Sequence, residues 1–182
     1  PMKSRLGSRR MLDLHAGPNL RSFVEHLPYI DSLWVGENIE WAADVGPDYW
    51  LVAVSGIPFG LFADMLGPAR THASANRGML FAMLARAGWE GSMPKQNAGV
   101  WRLWDAFRMA DSEMLGWWSK DCPVRTNEPR IVATAYLHRR RRALVVVGSW
   151  LRHSWQGHLH LNWTLLGMSP NRARIEVLDP RG

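Results

Sequence analysis

Four residues carry the chemistry this chain has to offer in its first third. Asp13 and His15 are two apart in Leu12-Asp13-Leu14-His15, ahead of a Gly-Pro turn. On an extended strand that spacing puts both side chains on one side. A carboxylate beside an imidazole could bind hydroxyl groups or orient a reacting group. Glu37 follows Leu33-Trp34-Val35-Gly36, and Asp64 follows Leu61-Phe62-Ala63. A carboxylate where a short apolar run stops is suited to acid, base or nucleophile work. Each has a plainer alternative. His15 could cap a loop, Glu37 could be a solvated loop group, and Asp64 could pair with Arg70 or Arg77. Glu40 and Asp44 read as surface groups. Tryptophan is the other signal, eleven in 182 residues. An indole offers a flat apolar face and one N–H donor, which suits the C–H face of a sugar ring and equally suits a core. Trp34, Trp117 and Trp118 are the candidate platforms. Adjacent strand residues face opposite ways, so only one of the last two could serve.

These residues need elements to position them. Residues 10–15, 33–37, 57–64 and 113–118 read as short apolar strands that end in polar or aromatic residues. Between them lie helical patterns: residues 20–27, ended by Pro28; 49–55, entered near Pro47 and left at Gly56; 77–86; and 98–109. Buried parallel strands have this appearance, and barrels keep their chemistry where such strands end. The expectation is the C-terminal half of a (β/α)8 TIM-like barrel over residues 1–120. A whole barrel needs roughly 250 residues. The first residues are therefore expected to continue an earlier helix, and the missing half of the barrel to be a partner in function.

After residue 120 the pattern changes to that of a small antiparallel β-sandwich, residues 121–182. Strands are expected over residues 131–137, 143–150, 158–163 and 174–178. Residues 158–163 alternate polar and apolar types cleanly.

Composition narrows the function classes. The net charge of +6 is concentrated near the start, in Lys3, Arg5, Arg9 and Arg10, and in Arg139, Arg140, Arg141 and Arg142. Eight of the 22 basic residues are in these clusters, and the rest of the chain has more acids than bases. The second cluster reads as a solvated hairpin turn. A nucleic-acid-binding domain has only that run in its favour. The single Cys122 excludes an internal disulfide and reads as structural. His158 and His160 share a strand face but lack an evident third ligand, so no metal is expected. There is no serine-hydrolase elbow, phosphate loop or dinucleotide fingerprint, and no cofactor is expected. No window has the length and apolarity to span a membrane, and no targeting segment is recognisable.

Several strings together resemble glycoside hydrolase family 123: LDLHAG at 12–17, LPYIDSLWVGENIEW at 27–41, PDYWLVAVSGIPFGLFADML at 47–66, VWRLWDAFRMADSEMLGWW at 100–118 and VGSWLRHSWQGHLHLNWTLLGM at 147–168. The resemblance implies a multidomain bacterial protein with a catalytic barrel and a C-terminal β domain. It implies cleavage of a terminal sugar from a glycan, after the fashion of a β-N-acetylhexosaminidase. In that mechanism the substrate's acetamido group attacks the anomeric carbon, an aspartate orients it and an adjacent glutamate is the general acid, an exception to the two-carboxylate scheme. It also implies an extracellular or periplasmic setting.

The chain departs from that pattern in one respect. It contains no Asp-Glu dipeptide. The main catalytic pair is therefore expected upstream of these residues, and the chain alone is expected to be inactive. Glu37 remains the catalytic candidate here. Asp13, His15, Trp34, Asp64, Trp117 and Trp118 are the substrate-binding candidates. The different-class alternative is a non-catalytic carbohydrate-binding protein using the same residues.

Overall fold

A computed structural model describes residues 11–15, 24–35, 46–65, 77–85, 95–139 and 141–178. The chain divides into two compact units, residues 1–97 and 98–182. The partition expected at residue 120 lies inside the second of these.

The first unit is built on a parallel sheet. Strands β1 (Asp13–His15), β2 (Ser32–Val35), β3 (Phe62–Met65) and β4 (Leu84–Ala85) lie side by side in sequence order. Every neighbouring pair is parallel. Parallel neighbours need a crossover between them, and among the described residues the helical turns there are short. Of the helix expected over 20–27, residues 20–23 lie outside the described residues, and Val24–Tyr29 is a 3-10 turn that runs through Pro28 instead of stopping before it. The helix expected over 49–55 is present as α1 (Pro47–Tyr49), which widens into a π turn over Trp50–Val54. Pro47 opens it, where its missing N–H costs nothing. Trp50 and Val54 are buried, and the Trp50 ring stacks on Phe81 with centroids 5.8 Å apart.

Two strand readings change here. Residues 57–64 do not form one strand. Ile57–Phe59 is a 3-10 turn between Gly56 and Gly60, both left-handed, and β3 starts only at Phe62. At Gly56 a Cβ would come within 2.8 Å of the Leu61 carbonyl oxygen, so glycine is required there by both φ and space. The helix expected over 77–86 gives way to a 3-10 turn at Met79–Phe81. Ala82 then takes a positive φ and β4 follows. A two-residue strand is too short to leave a period in the sequence.

Helix α2 (Lys95–Phe107), which the 98–109 pattern leads one to expect, spans the boundary and lies mostly in the second unit. The strands of this unit are β5 (Glu113–Leu115), β6 (Val124–Thr126), β7 (Ile131–His138), β8 (Arg142–Ser149) and β9 (Leu159–Leu161). Sheet order is β5-β7-β8 in one sheet and β6-β9 in another, and all pairs are antiparallel. The fourth barrel strand expected at 113–118 is therefore β5 of this unit, and it pairs with β7 rather than with a parallel neighbour. Strand β7 is central and buried from Ile131 to Leu137, because both of its faces are covered. Beneath it Cys122, Val124, Ala133, Ala135, Leu137 and Leu166 form one core cluster. The strand expected over 158–163 is shorter, since Asn162 caps a helical turn, α3 (Trp163–Leu166), by accepting from the Leu165 N–H at 3.0 Å. Residues 174–178, expected as a strand, pair with no other strand among the described residues, and Ile175, Val177 and Leu178 are exposed.

The described arginines of the hairpin, Arg139, Arg141 and Arg142, are exposed, as the composition leads one to expect, yet two of them are engaged. Arg139 and Arg141 lie in turn conformation between β7 and β8. Arg139 nevertheless makes a bidentate pair with Glu113 at 2.6 and 2.7 Å. Arg142 donates to the Phe107 carbonyl at 2.8 Å and lies over the Phe107 ring at 4.8 Å. His138 Nε2 is 2.7 Å from the same carbonyl. Two basic side chains thus close the C-terminal end of α2, where carbonyls lack intrahelical partners.

Candidate functional site

The register of the parallel sheet does what no single strand can. His15, Trp34 and Asp64 occupy one row across β1, β2 and β3. Residues in register on neighbouring strands face the same side of the sheet. The row before it, Leu14, Leu33 and Ala63, therefore faces the other side, and Leu33 and Ala63 are only 1% exposed there. One face is apolar and covered. The other carries an imidazole, an indole and a carboxylate near the C-terminal ends of the strands, where parallel α/β architectures hold their ligands. The His15 and Trp34 rings are in contact, with centroids 4.5 Å apart and planes 34° apart.

Asp13 is two rows further from that end, on the same face as His15. Its Oδ1 accepts a 2.7 Å hydrogen bond from the hydroxyl of Ser32, its register partner. Ser32 is buried, so this bond satisfies a hydroxyl removed from water. Asp31 fixes the same junction. Its Oδ2 accepts from the Leu12 N–H at 2.9 Å, while its own N–H donates to the Leu12 carbonyl at 2.8 Å. Reading the sequence for chemistry misses Asp31 and Ser32. The available signal was an Asp-Ser pair at a strand entrance, a place where short polar side chains bond to backbone.

Glu37, two positions past the end of β2, lies outside the described residues, as do Glu40, Asp44 and Arg70. Arg77 is described, and burial pulls its guanidinium below the usual arginine range.

Trp117 and Trp118 belong to the second unit, in the turn after β5, and not to a strand of the parallel sheet. Their rings meet edge-on, with centroids 5.7 Å apart at 86°. The Trp118 ring covers Gly116 so closely that any Cβ there would overlap it. Trp117 lines a cleft of about 250 Å3 together with residues of β6, β7 and the turn between them.

Cys122 is buried, and its thiol is within reach of the Val124 carbonyl at 3.4 Å. It is a core residue. His160 sits opposite Arg125 in the β6–β9 ladder. Among the described residues no group of three or more His, Cys, Asp or Glu side chains could hold a metal ion. No described helix is long and apolar enough to cross a membrane.

Residues 10–88 match the family model described as glycoside hydrolase 123, TIM-barrel domain. Residues 96–179 match the one described as glycoside hydrolase 123, C-terminal domain. The chain resembles glycoside hydrolase 123 proteins along both of its halves. The two matches meet between residues 88 and 96, close to where the chain divides into its two compact units. The parallel sheet with the His15–Trp34–Asp64 row lies within the barrel match, and Trp117 and Trp118 lie within the C-terminal match. No curated protein and no solved structure matches the chain. The two domains support a glycoside hydrolase-like function.

Proposed function

We propose that the chain contributes the sugar-contacting part of a glycosidase that removes terminal sugars from glycans. The row of His15, Trp34 and Asp64 on one sheet face carries this reading. An indole face packs against pyranose C–H groups, while an imidazole and a carboxylate exchange hydrogen bonds with ring hydroxyls. Asp13 and Ser32 hold β1 to β2 behind the row. Glu37, which follows β2 in the sequence, is the acid or base candidate within this chain.

The preferred substrate is a β-N-acetylhexosaminide cleaved with retention. The acetamido oxygen attacks the anomeric carbon as the glycosidic bond breaks, a general acid protonates the leaving oxygen, and water then opens the cyclic intermediate. Such a reaction needs a carboxylate that orients the acetamide next to the acid. With no Asp-Glu dipeptide in these 182 residues, that pair is assigned to further barrel strands beyond the four of the parallel sheet, in the half of a (β/α)8 barrel that would complete it. The β5–β9 unit is read as the small β-sandwich that accompanies it.

In an intact protein that carries the whole barrel, release of 4-nitrophenol from 4-nitrophenyl N-acetyl-β-galactosaminide and its glucosaminide tests the reading. Glu37→Gln and Asp64→Asn should each lower turnover at least about tenfold, equivalent to ~1.4 kcal/mol of transition-state stabilisation. Unchanged rates in both variants would remove this face from the reaction. The absent dipeptide favours one second reading, a carbohydrate-binding protein without turnover. Sugar binding that needs His15 and Trp34 in a protein inert toward every such glycoside would decide for it. A nucleic-acid role rests on the arginine run alone, in which Arg139 is paired with Glu113.

A further inference from the structure

We propose that residues 174–178 of one copy of this chain add as a strand to the open edge of β8 in a second copy, the two copies exchanging these strands reciprocally. The proposal concerns the second unit alone and does not rest on the catalytic reading of the parallel sheet.

Strand β8 is an edge. It pairs with β7 over its whole length, and among the described residues no strand lies on its other side. In an antiparallel pair the backbone groups of alternate residues point away from the partner strand. Between Arg142 and Gly148 those outward groups bond to nothing among the described residues. Native edges are blunted by lysine, proline, other charges or a bulge. From Ala143 to Gly148 the sequence is Ala-Leu-Val-Val-Val-Gly, without a charge or a proline. The register against β7 runs through it without a bulge. The edge also lacks apolar cover. Ala143 and Val145 pack on the core cluster. Val147 shares their face by alternation and lies opposite the core residue Ala133, yet it is 44% exposed.

Residues 174–178 are the complement, a strand pattern without a sheet. Ile175 and Val177 alternate with Arg174 and Glu176. Arg174 pairs with Glu176 at 2.9 Å, so these two share one side and bring no net charge. On a strand Ile175 and Val177 take the other side. They are 72% and 96% exposed, and Leu178 is 53% exposed. No backbone group from Arg174 to Leu178 hydrogen-bonds to another described residue.

The two patterns fit in one antiparallel register. With Ile175 beside Val147, Val177 falls beside Val145 and Glu176 beside Val146. Ile175 and Val177 then continue the core face of β8 and cover Val147. The uncharged edge meets a strand whose two charges already neutralise each other. Within its own chain the segment is unpaired, so a second copy is the acceptor. Two identical exchanges about a two-fold axis close the assembly. Each side contributes about ten residues, fewer than the ~20–30 of a standard interface. The dimer is therefore weak, with a Kd on the order of 10–100 μM.

Sedimentation of the intact protein across that concentration range tests the proposal. The dimer fraction should rise with concentration. Ile175→Lys combined with Val177→Lys should raise the dimer Kd at least about tenfold, because charge blunts strand pairing. The melting temperature should not change, since both side chains are exposed in their own chain. Opposed residues of antiparallel strands have Cβ atoms ~4.5–5.5 Å apart, close to disulfide reach. Mixing Val147→Cys protein with Ile175→Cys protein under mild oxidation should therefore give a covalent dimer. Its cross-linked peptide should join positions 147 and 175, and neither variant alone should form it. A protein that stays monomeric throughout, or a dimer that survives the double lysine substitution, overturns the inference. So does a mixture that yields no such link, and so does a 147–175 disulfide that closes within one chain when both cysteine substitutions are combined.

Discussion

In the first unit, strands of two to four residues run parallel and carry a polar row near their ends. In the second, an antiparallel hairpin of two eight-residue strands has nearly the whole of β7 buried. The first arrangement exposes chemistry at the ends of its strands. The second supplies a dense core, with a cleft at its margin. A parallel strand needs an intervening crossover and gains its neighbours late in sequence, whereas a hairpin closes locally. Mutations should therefore sort by unit, with stability effects concentrated in the second and ligand effects in the first.

The largest effect expected is in the core of the second unit. Leu137 is 2% exposed and belongs to the cluster beneath β7. Leu137→Ala should cost about 2–5 kcal/mol through lost transfer energy and the cavity left behind. Denaturant titration would register it, with accelerated amide exchange in β7 and β8. A loss under ~1 kcal/mol would contradict the dense-core assignment.

In the first unit the counterpart is His15→Ala. It removes the ring contact with Trp34, worth about 0.5–1.5 kcal/mol in such pairs, and should raise the Kd for sugar several-fold. If calorimetry shows only a lower melting temperature, with sugar affinity intact, the His15–Trp34 contact is structural.

A similar magnitude is expected at the end of α2. Arg142→Ser removes one of the two side chains that meet the Phe107 carbonyl, at a cost of about 1 kcal/mol. Glycoside turnover should be untouched. A strong loss of turnover would break the division of labour between the units.

The smallest effect is electrostatic. The Arg139 hydrogen bond holds the Glu113 carboxyl below the usual glutamate range, and the Glu113 carboxylate raises Arg139 in turn. Because the folded value is depressed, the stabilisation is present above the unfolded glutamate value near ~4.3. It is lost as pH falls through the lower folded value. Both groups are largely exposed, so the gain is small and screened by salt. Glu113→Gln should flatten the acid limb of a melting-temperature profile slightly at low ionic strength and leave the neutral region almost unchanged.

Much was legible before the fold was known. Strands β1 and β2, helix α2, the β7–β8 hairpin and the residues His15, Trp34 and Asp64 all stand out from local pattern. What failed has identifiable causes. Strand β4 is two residues long, below any periodicity. Residues 57–61 read as a continuous apolar run, yet two left-handed glycines fold them into a turn. Residues 113–118 look like a barrel strand because an apolar run ending in tryptophans is the same whether its partner is parallel or antiparallel. Asp31 and Ser32 went unremarked because their value lies in reaching β1 from the start of β2.

The sequence by itself determined which segments alternate and which turn, since hydrophobic period and the φ limits of glycine and proline act over a few residues. It also determined the residue types available for chemistry, and through long motifs the resemblance to a family. Only the tertiary structure decided the register that sets His15, Trp34 and Asp64 in one row, and the assignment of β5 to the antiparallel sheet. It alone turned the arginine hairpin into a cap for α2. Those outcomes depend on backbone hydrogen bonds and contacts between residues some 20–35 positions apart, and no local pattern encodes which distant partner a strand or an arginine will meet.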